Sequence, residues 1–188
     1  MSTTAWITIL LGAALIALVA VLVGVRRLAL RRIADRTIRD PLTDTYTLDF
    51  IQEIYQAELR RAERTGVPFS VAVVAIHDLN GTLQRTQVSL DELWVALAQW
   101  LQSNLRGCDY TGRMNGDRFV LILPETWEDD ARAVTKRINV SFAHRPKGGD
   151  DTIWLTCDIG IATWTPEESD PWNAAGRQLE KLAAVARN

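Results

Sequence analysis

Cysteine is scarce in this chain of 188 residues, which holds only Cys108 and Cys157. Two cysteines do not make a disulfide-stapled secreted scaffold; both fall in segments that read as strands, and they are expected to be reduced core residues. Basic charge is missing from one end. Met1 to Val25 carries no lysine or arginine, and no charge of either sign interrupts Ala5 to Val25. A cleaved signal peptide needs a basic leader and a shorter apolar stretch, and neither is there. At about 1.5 Å per residue the run spans roughly 30 Å, one bilayer core, so residues 1–25 read as a transmembrane anchor. Internal repeats and low-complexity tracts are absent as well.

Arginine follows the apolar run at once, as Arg26, Arg27, Arg31, Arg32, Arg36 and Arg39. This asymmetry puts the N-terminus outside and the rest of the chain in the cytoplasm. Residues 26–39 read as a basic juxtamembrane helix whose partner is anionic lipid; its apolar positions sustain no heptad. With those six arginines and Asp35 set aside, 15 basic residues face 22 acidic ones from Asp40 onward, about −7. That balance argues against nucleic acid as a partner. Within the membrane run, Ala13, Ala17, Ala20 and Gly24 share one helix face, where small residues let a second helix approach.

Beyond Pro41 the periodicities alternate. A helix is expected over 48–65, with Phe50, Ile51, Ile54, Tyr55, Leu59 and Ala62 on its buried side and Gly66 and Pro68 as its stop. Phe69 to Ile76 is an uninterrupted apolar strand of the central kind. His77 to Val88 reads as a loop, and Ser89 as the N-cap of a helix carrying Leu93, Trp94, Leu97, Trp100, Leu101 and Leu105. Two short strands then meet at Asn115-Gly116-Asp117, since Asn-Gly between extended segments is a strong hairpin signal. A helix over 127–142, a loop over 144–151, a single strand over 152–163 and a helix from Pro171 to Arg187 complete the chain. The order fits an α/β sandwich, one mixed central sheet flanked by helices.

The hairpin sequence Asn115-Gly116-Asp117-Arg118-Phe119 resembles the Gly-Gly-Asp/Glu-Glu-Phe signature of the GGDEF family, the diguanylate cyclase domains. Asp40-Pro41-Leu42-Thr43 resembles the family's D-x-L-T opening turn, and the likeness covers residues 40–188. It implies the nucleotidyl-cyclase-like α/β sandwich, here preceded by one transmembrane helix at a bacterial inner (cytoplasmic) membrane. Gly148-Gly149-Asp150-Asp151 spells the signature more closely. It follows a helix with no partner strand before it, so it reads as an ordinary turn.

In the family two magnesium ions activate the attacking hydroxyl and hold the phosphates, on carboxylates from the first strand and the hairpin. By that resemblance the strand ligand falls on Ala75 and the hairpin glutamate on Arg118, leaving Asp117 alone. A guanidinium about 5 Å from Mg²⁺ costs roughly 6 kcal/mol at an effective dielectric of about 20. His77 and Asp78 are the nearest substitutes, and a solvated loop end accounts for them better. The phosphate-holding lysine after the first strand maps to Asn80, a guanine-reading asparagine to Leu83 or Thr82, and the lysine of the last helix to Ala183. Asp91, which the family uses to read guanine, is retained, and helix capping explains it equally. The expectation is a degenerate site with no metal, no cofactor and no catalytic residue.

Arg106-Gly107-Cys108-Asp109 stands where many GGDEF domains carry the Arg-x-x-Asp site for cyclic di-GMP, and Arg137 matches a supporting arginine. Guanidinium can donate two bonds to guanine O6 and N7, and the carboxylate can accept from N1 and N2. The resemblance implies a cyclic di-GMP effector acting through Arg106, Asp109 and Arg137, as a homodimer or with a membrane-protein partner. Two other readings stand beside it: a ligand-free interaction scaffold, and a cyclase active only with a partner.

Overall fold

The computed structural model describes residues 37–86, 88–114, 117–139, 142–145 and 152–185. The expected membrane anchor and the juxtamembrane arginines up to Arg36 lie outside these residues, as do Asn115, Gly116 and residues 146–151. Among the described residues no helix is long and apolar enough to cross a membrane.

Among the described residues five helices and six strands follow one another as α1 (Leu48–Thr65), β1 (Ser70–Ile76), α2 (Leu79–Thr86), α3 (Leu90–Ser103), β2 (Tyr110–Arg113), β3 (Arg118–Leu123), α4 (Glu128–Ile138), β4 (Phe142–His144), β5 (Ile153–Leu155), β6 (Cys157–Thr163) and α5 (Pro171–Val185). The main sheet runs β2-β3-β1-β6, and β4 and β5 pair as a separate ribbon. All three pairings of the main sheet are antiparallel. The parallel component is a single bridge at its edge, where Tyr46 meets Gly112.

β1 is central and apolar throughout, and its alternation divides the core. Ala72, Val74 and Ile76 join Phe119, Leu121 and Leu123 of β3 on one face, under Leu93, Trp94, Leu97 and Leu101 of α3 and Ala131, Val134 and Ile138 of α4. Val71, Val73, Val120 and Ile122 take the other face, against Ile51 and Tyr55 of α1 and Ala175 and Leu179 of α5. Burying each such large side chain contributes about 1.5–3 kcal/mol, which is what fixes the register. Gly160 lets α5 lie directly on β6: a Cβ there would come 2.0 Å from the Ala175 carbonyl oxygen and 2.5 Å from the Leu179 nitrogen.

Helix ends follow local chemistry. Ser89 Oγ accepts from the Glu92 N–H at 3.2 Å and starts α3, while Gly66, at φ 72°, ends α1 in the left-handed region. The Asp-Pro-Leu-Thr turn is held from within, Asp40 Oδ1 accepting from the Thr43 N–H at 2.9 Å and the Thr43 hydroxyl at 2.8 Å. Arg113 of β2 adds an ion pair to Asp40 at 3.1 Å.

Several expectations are corrected. The segment read as a loop over 77–88 contains α2, because Asp78, at φ 45°, caps it through the Gly81 N–H at 3.2 Å. The helix expected to reach residue 142 ends at Ile138, and Phe142 lies in β4, buried and stacked on Trp100 with ring centroids 5.2 Å apart. The single strand over 152–163 is two, interrupted at Thr156, whose carbonyl accepts from the His77 N–H at 2.9 Å. A partner strand, β4, therefore does precede the Gly148-Gly149-Asp150-Asp151 stretch. Cys157 is buried as expected, but Cys108 is exposed, in the turn before β2 rather than in the core.

Candidate functional site

Two places on the domain gather polar side chains. The first is the rim where β1 and β3 end. Ala75 faces Arg118 across one ladder and Asp158 across the other, so the methyl of Ala75 sits between a guanidinium and a carboxylate. A cavity of about 660 Å³ opens here, lined among others by Ala75, His77, Asp78, Asn80, Asp117, Arg118, Asp158 and Ala183. Positions picked out from the chain in three separate segments thus share one cavity.

The charges of this rim are bonded to one another. His77 Nδ1 lies 3.0 Å from each carboxylate oxygen of Asp158. Arg118 reaches Glu180 of α5 at 3.4 Å and Asp117 at 3.8 Å. Asp78 caps α2 and pairs with Arg85 at 3.1 Å. Thr82 is buried, Leu83 packs on the core, and Asp91 is exposed in the first turn of α3. Among the described residues no group of three His, Cys, Asp or Glu side chains comes together as a metal site.

Asp158 and Glu180 were not singled out in the sequence. Asp158 left a signal, being the one charge in the strand segment from Ile153 to Thr163. Glu180 left none, since its link to Arg118 spans 62 positions.

The second place is the corner where α3 and α4 end. Trp100 Nε1 donates to the Ile138 carbonyl at 3.1 Å and ties the two helix ends together. Asn104 caps α3, and Arg137 of α4 donates through Nη2 to its carbonyl oxygen, a cation at a helix C-terminus. Two residues on, Arg106 opens a turn in which its N–H donates to Asp109 Oδ2 at 2.8 Å and its carbonyl accepts from the Asp109 N–H at 3.0 Å. Arg106 and Arg137 are exposed and Asp109 is half-buried. Arg106, Asp109 and Arg137 are so brought to one corner. Asp109 engages the backbone of Arg106; among the described residues the Arg106 guanidinium has no hydrogen bond or ion pair.

A mixed sheet flanked by helices, with its hairpin at the rim of a cavity, defines a cyclase-like α/β domain. The family model described as "Diguanylate cyclase, GGDEF domain" matches residues 37–188, and the chain belongs to that family. It is similar to diguanylate cyclase DosC of Escherichia coli, 29% identical over 128 residues, which are 65% of this chain and 27% of DosC. The chain thus spans about a quarter of that relative's length. The fold is that of the crystallised diguanylate cyclase SiaD of Pseudomonas aeruginosa, solved with its activator SiaC. That likeness has a TM-score of 0.68 and 24% identity, and covers 97% of this chain and 78% of SiaD. The GGDEF domain of DgcB from Caulobacter crescentus, crystallised in complex with cyclic di-GMP, gives a TM-score of 0.68 at 15% identity over 80% of this chain and 90% of that one.

Proposed function

We propose that this chain is a membrane-anchored GGDEF domain that does not cyclise GTP and instead binds cyclic di-GMP through Arg106, Asp109 and Arg137. Relatives are named as cyclases and a structural neighbour was crystallised with cyclic di-GMP, which supports this ligand class. The residues at the rim do not fit a magnesium ion. Ala75 offers no oxygen, Arg118 brings a positive charge to the same cavity, and Asp158 and Asp78 are already bonded to His77 and Arg85. Magnesium is held by several oxygens, usually one or two of them carboxylates, and a guanidinium beside it opposes binding. The apolar run over 5–25, followed by six arginines, supports a single-pass anchor in a bacterial cytoplasmic membrane with the domain inside.

One observation carries the ligand reading. Arg106 stands exposed in a turn closed by Asp109, beside Arg137, with its guanidinium unpartnered among the described residues. A turn closed on its own backbone presents this donor fork to solvent, where it can meet a guanine edge or a phosphate. Calorimetric titration of the full chain with cyclic di-GMP tests it. Arg106→Ala removes a charge-assisted contact and should cost about 1.5–3 kcal/mol, ten- to a hundredfold in affinity. No heat at high-micromolar ligand overturns the proposal, and equal binding by the variant places the ligand elsewhere.

The bonds of Asp109 also favour a second reading, a ligand-free scaffold in which Arg106-x-x-Asp109 is only a turn. On that reading Asp109→Ala lowers stability by about 1 kcal/mol and no nucleotide binds.

A further inference from the structure

Behind Arg118, on the face of the sheet covered by α5, lies a second and smaller cavity of about 280 Å³. Its apolar lining is Val73, Met114 and Trp172, and its cationic groups are Arg118 and Arg177. We propose that this cavity binds a small aromatic anion, a single planar ring bearing a phosphate or carboxylate. The proposal is independent of the cyclic di-GMP site, and it shares Arg118 with the rim.

Gly176 is the first reason. It sits inside α5, where glycine is the least favourable residue after proline. Nothing lies within 4 Å of where its Cβ would be, so close packing does not require it, and it has no positive φ to accommodate. Its one structural effect is room. One turn from Trp172 and one turn from Glu180, it leaves a notch between them that opens into the cavity.

The chemistry of the walls is the second reason. Trp172 is fixed before any ligand arrives: Tyr55 packs against it edge to face at 5.2 Å, and the Tyr55 hydroxyl donates to Asp170 at 3.1 Å. An indole braced on one edge and a methionine thioether suit a flat ring. Arg118 and Arg177 outnumber the one carboxylate of the lining, Glu180, while Asp117 and Glu168 pair with them from outside it. Both arginines hold their carboxylates loosely, the half-buried Arg118 at 3.4 Å to Glu180 and 3.8 Å to Asp117, and the exposed Arg177 at 3.8 Å to Glu168. An anion between the two guanidiniums replaces those contacts with shorter, paired ones. The volume limits the ligand to about one ring and its charged group, being just below the roughly 300–1,000 Å³ of ligand pockets.

Phenyl phosphate, inorganic phosphate and benzyl alcohol, titrated separately into the full chain, read the ring and the charge apart. The indole N–H resonance of Trp172, assigned by its loss in Trp172→Phe, reports occupancy. Phenyl phosphate should bind at least tenfold more tightly than either of the other probes. Gly176→Leu should fill the notch and weaken it at least tenfold without lowering the melting temperature, and Arg177→Gln should weaken it to the same degree. Phenyl phosphate binding no tighter than inorganic phosphate overturns the proposal, as does a Gly176→Leu chain that binds it unchanged. Cyclic di-GMP titrated into the same Gly176→Leu sample should give the wild-type affinity, which separates failure here from failure at Arg106.

Discussion

The corner at the end of α3 and the rim at the ends of β1 and β3 are made of the same residue types and differ in what those residues hold. At the rim His77 faces Asp158, Arg118 faces Glu180, and Asp78 faces Arg85. At the corner the carboxylate of Asp109 is tied to backbone, and among the described residues the Arg106 guanidinium is left over. Exposed ion pairs stabilise a protein by only about 0–1 kcal/mol, yet they change what a site can bind, because a paired charge must first be separated from its partner. A site is read from its uncommitted groups. On that criterion the corner is equipped for a ligand and the rim is occupied with itself.

The most disruptive test removes the support of the rim alone. Gly160→Val forces a side chain against the backbone of α5, which carries Glu180 and Ala183 to the rim, and should cost about 3 kcal/mol by chemical denaturation. In the folded fraction cyclic di-GMP affinity should be unchanged, because the corner is built by α3 and α4. A parallel loss of both would erase the distinction between the two places.

Arg137→Ala sharpens the comparison from the other side. It removes the cation beside Arg106 and should weaken cyclic di-GMP by about tenfold, or 1.4 kcal/mol, in a titration. Stability should move by less than about 1 kcal/mol, since the bond lost is a solvent-exposed one.

Asp40 supplies a charge whose commitment can be titrated. Burial raises its pKa, but bonds from the Thr43 hydroxyl and N–H and from Arg113 outweigh it and hold the carboxyl below its usual value of 3.8. A depressed native pKa means that this stabilisation is complete above about pH 4, the unfolded value, and is lost as pH falls through the native one. Asp40→Asn should therefore be less stable than wild type at neutral pH, and the gap should close in acid. A gap of constant size from pH 7 to pH 2 would show that the charge contributes nothing.

The smallest expected effect is at the signature position. Arg118→Glu sets a carboxylate near Asp117 and Glu180, and stability should change by about 0.5 kcal/mol or less. Chromatography of GTP and Mg²⁺ incubations should find no cyclic di-GMP from the wild-type chain or from this variant, because Ala75 still lacks an oxygen. Product from either would restore the rim as a catalytic site.

Much of the fold was legible because its signals are local. Ser89 before an acidic turn and Gly66 after an apolar stripe mark helix ends, and the apolar run of β1 marks a central strand. What was missed depends on distant partners. α2, with sequence LNGTLQRT, has a glycine and two threonines and takes its start from Asp78 in an unusual conformation. Thr156 is no breaker by itself; its place is set by His77, far away in the chain. The site behaved alike. Arg106, Asp109 and Arg137 could be picked out by position, whereas the pairings that fill the rim close over 62 and 81 positions and leave no pattern in the sequence.

The exposed thiol of Cys108 has a practical consequence. Burial, with a contribution from the charge of Asp158, pushes the Cys157 thiol up to about 12, so at neutral pH it is neither ionised nor accessible. Cys108 is exposed between Arg106 and Asp109, its thiol donating to Asp109 Oδ1 at 3.9 Å. Only thiolate reacts with alkylating reagents, so a wild-type chain should take up a single label, and take it up in the turn itself. The rate of that labelling is then an occupancy gauge, slowed by whatever settles on Arg106 and indifferent to events at the rim.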